Sequence, residues 1–165
     1  MKGLKIRVQN TDLFVTMMEL LGANATPMSF GQVYESLLTG VIDGAENNWP
    51  SYVSTRHFEA AKYYTLDRHS MVPEVILMSK STWDALSVED QKIIKQSARS
   101  ATKYMRKLWN ARVEQAKSQA LAAGVIVNEG IELDEFTSAV EPMYADMMRD
   151  PVMADLITRI RAEGL

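Results

Sequence analysis

Arg7 stands in the run KIRV, a guanidinium between apolar neighbours. Such a group offers parallel donors to a carboxylate, a fit that lysine cannot reproduce. A surface or sheet-edge arginine is the plainer reading of the same residue. A second concentration of polar chemistry follows in Glu46-Asn47-Asn48-Trp49-Pro50. Asn47 brings both a donor and an acceptor, suited to hydroxyl or carboxylate oxygens, or it is simply a turn asparagine. Trp49 has an apolar face that could stack on a sugar ring or an aliphatic acid, or cover the helix that follows. Asn48 reads as the cap of that helix. Phe30, at the head of an apolar stripe, reads as core on periodicity alone. His69 and Glu74 lie in RHSMVPE. A histidine without a second histidine or cysteine nearby is weak evidence for a metal, and Glu74 could accept from ligand hydroxyls or pair with a lysine. His57 is too isolated to build a site.

Catalytic signatures are missing from the sequence. It has no Gly-x-Ser-x-Gly, no phosphate-binding glycine loop and no His-Glu-x-x-His. Asp43 and Glu46 are near neighbours, but a carboxylate pair alone does not define a glycosidase. No enzyme, cofactor or metal site is expected.

The elements that must position these residues alternate between strand and helix. In Leu4–Val8, Leu4, Ile6 and Val8 share one face, with Lys5 and Arg7 on the other. Thr11-Asp12 caps a helix through Phe14, Met17, Met18 and Leu21 that Gly22 closes. Thr26 precedes a proline, so residues 25–28 are extended. Ser29 caps a helix with stripe Phe30, Val33, Tyr34, Leu37 and Leu38, stopped at Gly40. Val41-Ile42-Asp43 reads as a short strand, 50–62 as a helix begun by Pro50, and 62–66 and 74–79 as extended and buried. Ser87, followed by Glu89 and Asp90, opens a very long amphipathic helix closed at Gly124. Residues 125–127 are a last strand, and helices cover 134–148 and 152–160. The class is α/β. The strands are few and short for a self-sufficient sheet. At about 1.5 Å of rise per residue, the long helix also exceeds what a small domain needs. Both features suggest that the chain spans lobes of something larger.

Composition narrows the function classes. The chain has 165 residues, 47% hydrophobic and 24% charged, with a net charge of −3, which fits one soluble domain or part of a larger one. Mild acidity without a basic run argues against nucleic-acid binding. The absence of cysteine excludes disulfides, zinc–thiolate sites and a cysteine nucleophile. No apolar run approaches the roughly 18 residues of a membrane-spanning helix, and Lys2, Lys5 and Arg7 interrupt any signal-peptide core.

The runs GLKIRVQN, GANATPMSFGQVYESLLTGVIDGAENNWPSY and HSMVPEVILMSKSTWDALSVEDQ together resemble the solute-binding proteins of tripartite ATP-independent periplasmic (TRAP) transporters, DctP type. The resemblance covers essentially the whole chain, as the C-terminal part of such a protein. It implies a two-lobed α/β fold, like that of periplasmic binding proteins, that closes on an organic acid and delivers it to a membrane permease. It implies that Arg7 binds the ligand carboxylate, that Phe30 in PMSFGQVY lies against the ligand and that Asn47 contacts it. Gln32 stands where the family usually has glutamate. On this reading residues 1–73 belong to the ligand-binding second lobe, 74–123 form the crossover and long helix with a remnant of the first lobe, and 124–165 return to the second.

Trp49 beside paired amides favours a hexuronate or similar sugar acid over a C4-dicarboxylate. The full-length family member is periplasmic; if Met1 is the true start, this shortened form is cytoplasmic. The isolated chain is expected to bind weakly or not at all, because the facing wall is missing, and to self-associate through exposed apolar surface. The competing expectation is a shortened interaction or oligomerisation protein without ligand binding.

Overall fold

The computed structural model describes residues 1–163; the expected segment 124–165 therefore ends in two residues outside the described range. β1 (Lys5–Val8) lies between β2 (Asn24–Pro27) and β3 (Gly44–Ala45), parallel to both. Arg7 is in register with Thr26 on one side and Ala45 on the other. A second parallel pair joins β4 (Tyr63–Thr65) to β5 (Ile126–Asn128). Parallel neighbours need crossovers rather than tight turns. α1 (Asp12–Leu20) provides the one from β1 to β2. A 3₁₀ turn (Phe30–Gln32) with α2 (Val33–Leu38) provides the one from β2 to β3.

The alternation in β1 decides what each face meets. Ile6 and Val8 enter an apolar cluster with Phe14, Met17, Met18 and Ala23. Thr11 holds α1 at the angle this packing needs, its hydroxyl accepting from the Phe14 amide. Val140 and Met143 of α7 (Leu133–Met147) close the cluster from outside. Gly22, at φ +80°, ends α1 in the left-handed region that side chains avoid.

A second cluster gathers Trp49, Tyr52 and Val53 of α3 (Trp49–Ser54) against Ala116, Ala120 and Val125. Ala116 and Ala120 are fully buried near the end of α6 (Val88–Ala122), where small side chains let α3 come close. The rest of α6 is largely bare. Tyr104, Met105, Leu108 and Trp109 are all exposed, so its long apolar stripe has no cover among the described residues. α5 (Lys80–Ala85) precedes α6, and α8 (Pro151–Ala162) follows α7 with Asp150 as its cap.

Several expectations change. Residues 62–66 are extended but not buried, Tyr63 being 77% exposed, and Ser29 makes no side-chain cap bond. The strand expected at Val41–Asp43 falls at Gly44–Ala45 instead. Val41 is exposed, and Asp43 binds the β1 edge by exchanging hydrogen bonds with Lys5 through its amide and its carboxylate. Gly44 fits where a Cβ would meet the Ile6 side chain at 3.1 Å. The helix expected over 50–62 is broken into α3 and α4 (His57–Ala60) by Arg56, whose φ of 61° no right-handed helix admits. The segment 74–79, expected to be buried, is exposed, with Leu77 at 84%. No strand pairs with it among the described residues; burial needs a partner surface as well as apolar residues.

Candidate functional site

The parallel strands β2, β1 and β3 all end at the same edge; the chain passes from β1 through α1 to β2 on one side, then from β2 back past β1 to β3 on the other. Open parallel sheets bind ligands at such a point, beyond the carboxyl ends of their strands. Arg7 lies near the end of β1, Met28 and Phe30 follow β2, and Glu46 and Asn47 follow β3. The topology thus brings Arg7, Phe30 and Asn47 to one place.

Arg7 is only 4% exposed, although it lies on the strand face that alternation marks as polar. Its Nε and Nη2 both donate to the Met28 carbonyl, at 3.2 and 3.0 Å. That leaves Nη1, which faces the Glu46 carboxylate at 3.9 Å. Burial lowers the Arg7 pKa and Glu46 opposes the shift; an arginine starts so high that it stays charged. The guanidinium carbon lies 5.6 Å from the centre of the Phe30 ring, within cation–π range. Phe30 also meets His57 edge-on and is itself 41% exposed. Burial, and then the Arg7 charge, push the His57 pKa down, so this ring is neutral at pH 7.

Asn47 is half-buried and held from both sides. Its side-chain oxygen accepts from the Asn48 amide, and its backbone carbonyl accepts from the Tyr64 hydroxyl at 2.6 Å. Its side-chain NH₂ has no hydrogen-bond partner among the described residues. Asn48 caps α3 by accepting from the Ser51 amide, as its sequence position predicts.

Trp49 is placed differently from the stacking role its type suggests. The indole is buried, and Tyr64 lies stacked on it at 3.8 Å between ring centres. One aromatic face is therefore already used inside the protein. Burial, followed by the charges of Asp67, Tyr52 and Glu46, raises the Tyr64 pKa strongly, keeping its hydroxyl a donor.

His69 joins the site through Glu46. Its Nδ1 lies 2.7 Å from Asp67 Oδ1, and its Nε2 is 3.7 Å from Glu46 Oε2. Burial favours the neutral ring, but the hydrogen bond to Asp67 and the nearby charges of Asp67 and Glu46 outweigh it and push the pKa up to about 9. Glu74 is exposed and makes no hydrogen bond or ion pair with these groups among the described residues. Asp67 and the Met28 carbonyl were not singled out by the sequence, and Glu46 was weighed only as a neighbour of Asp43 and Asn47. The usable signals were that Glu46 adjoins Asn47 and that Asp67 lies two positions before His69. No cluster that could hold a metal ion occurs among the described residues.

The family described as bacterial extracellular solute-binding protein, family 7 (DctP), matches residues 1–150. The chain belongs to that family. Among family 7 relatives, a solute-binding protein of Chromohalobacter salexigens is 44% identical over 161 residues, 97% of this chain and 48% of its own. A crystal structure of a TRAP periplasmic solute-binding protein from the same species, with bound D-glucuronate, superposes with a TM-score of 0.93 at 44% identity. It covers 98% of this chain and 54% of that one. Another, from Xanthobacter autotrophicus with bound β-D-galacturonate, gives 0.91 at 49% identity with the same coverages, 98% and 54%. The α/β fold of family 7 is therefore shared, and the chain spans about half the length of these relatives.

Proposed function

We propose that the chain forms one wall of the solute-binding component of a TRAP transporter, taking up a hexuronate outside the cytoplasm and passing it to the membrane permease. The observation that carries this reading is the buried Arg7, whose free Nη1 side faces a carboxylate at 3.9 Å beyond the carboxyl end of β1. The solved relatives with bound D-glucuronate and β-D-galacturonate support the substrate class. In this reading Arg7 clamps the ligand carboxylate, Phe30 lies against the ring, and the unpaired NH₂ of Asn47 donates to a hydroxyl. Trp49 acts behind them, holding Tyr64 and through it the Asn47 carbonyl. Residues 1–73 and 124–163 make the ligand-binding lobe, and 74–123 the crossover into the other. Glu74, on that crossover, belongs to the facing side.

Glucuronate, galacturonate and succinate added to the 165-residue chain test the reading, with the Arg7 guanidinium and Phe30 ring signals followed by NMR. The uronates are expected to shift both signals with millimolar affinity, about 4 kcal/mol, because one wall is missing. R7K should lose most of the response. A response to succinate alone would remove the sugar-acid preference, and no response to any acid would remove the binding surface assigned to this wall.

A second reading, an oligomerisation protein without ligand binding, has one observation in its favour. Val72, Val75, Ile76 and Leu77 stand exposed, as do Tyr104, Met105, Leu108 and Trp109 on α6, and exposed apolar patches mark interaction surfaces.

A further inference from the structure

The site holds more charge than a carboxylate clamp requires. Arg7, Glu46, His69 and Asp67 stand in a row of alternating sign, at 3.9, 3.7 and 2.7 Å. The middle of the row is loose. Glu46 is within hydrogen-bond distance of neither Arg7 nor His69, although its side chain is only 11% exposed. His69 Nε2 is buried and has no hydrogen-bond partner. The far end is tight: Asp67 fixes the imidazole through Nδ1 and so aims Nε2 at Glu46.

An incoming carboxylate needs the place Glu46 now takes. The Met28 carbonyl occupies the Nε–Nη2 edge of Arg7, which leaves the Nη1 side where Glu46 waits. Two carboxylates crowded on the Nη1 side would repel each other, which favours Glu46 moving aside. Besides Arg7, His69 is the cation poised to receive it.

We propose that Glu46 is a displaceable counter-ion of Arg7, and that His69 is a positioning residue drawing Glu46 off Arg7 when an organic carboxylate takes its place. This rests on the reading of Arg7 as the carboxylate clamp. The exchange needs no covalent step: the proton stays on His69 and only the Glu46 side chain changes partner. The charged and titratable groups around His69 are Asp67 and Glu46, with Tyr64 beside both and Arg7 beyond Glu46. A charged His69, whose pKa is pushed up to about 9, is what the exchange requires at neutral pH.

The test uses the 165-residue chain and its E46Q, H69Q and D67N variants, each first checked for a native-like NMR spectrum. Without ligand, imidazole NMR follows the titration of His69. E46Q is expected to lower its midpoint by about one pH unit or more, and D67N likewise, since each removes a favourable charge. An unchanged midpoint in E46Q would overturn the shared counter-ion, whatever binds. Galacturonate is then titrated into each protein. Removing the competitor should make E46Q bind several-fold tighter, whereas H69Q should bind several-fold weaker. Wild-type affinity should fall between about pH 7 and about pH 10, and that of H69Q should stay flat. Equal weakening in E46Q and H69Q would make both residues ligand contacts or scaffold, and the exchange would be wrong. Absence of binding in every protein would overturn the clamp and the exchange together, leaving the ligand-free arm to decide the counter-ion separately.

Discussion

Raising the pH should cost the folded chain the His69–Asp67–Glu46 interaction, and its magnitude can be worked from the site. Burial disfavours the charged ring, but Asp67 and Glu46 together raise its pKa to about 9. An unfolded histidine titrates near 6.5, and the difference corresponds to roughly 3 kcal/mol of stability. The sign follows from the direction. A raised pKa means that the folded state holds the proton more tightly, so the contribution is complete below about pH 6.5 and gone above about pH 9. Because the His69 side chain is only 15% exposed, solvent screening removes little of it. His57 shifts the other way, so the series should start at about pH 6.5 and run upward, where His57 is mostly neutral when folded. Urea unfolding of wild type and H69Q at successive pH values reads the effect. The stability gap between them is expected to shrink by roughly 3 kcal/mol towards about pH 9.5. Parallel curves across that range would show that His69 is not held as a cation.

Other consequences follow from packing. Met18→Ala, at a position 2% exposed in the first cluster, should lose about 2–5 kcal/mol in urea unfolding by leaving a cavity. Tyr64→Phe keeps the stack on Trp49 but removes the donor to the Asn47 carbonyl. It should cost about 1 kcal/mol and weaken the galacturonate response; an unchanged response would detach Asn47 from binding. Light scattering should give a mass above that of one chain, falling towards one chain when Ile76 and Leu77 are changed to lysine. A single-chain mass in the wild type would remove the self-association.

Local physics made much of the fold readable. Alternation in KIRV put Ile6 and Val8 on the face that meets α1, and Thr11 and Ser87 cap helices by accepting from backbone amides. The features that were not readable depend on partners far along the chain. Arg56 breaks a helix without a glycine or proline to announce it. The run EVILMS is as apolar as a core strand, yet nothing among the described residues covers it. Trp49 has the composition of a ligand platform, and only the fold shows that Tyr64 has taken one of its faces. Arg7 and Asn47 were legible as candidates by type, and the fold brings both to the carboxyl ends of the parallel strands. The charge row through Glu46 was not legible, because Asp67 and His69 reach it from beyond α3, α4 and β4.

The long helix has a mechanical side as well. α6 is gripped near one end, where Ala116 and Ala120 press against α3, and the opposite end at Ser87 lies about 50 Å away at 1.5 Å per residue. It is a lever with its fulcrum beside α3. A tilt of about 5° at the alanines would swing the far end by about 4 Å over that length. Trp49, at the start of the same short helix α3, follows directly on the Glu46–Asn47 turn. A shift of that turn small enough to be lost in side-chain motion would be amplified into a displacement large enough for another surface to read.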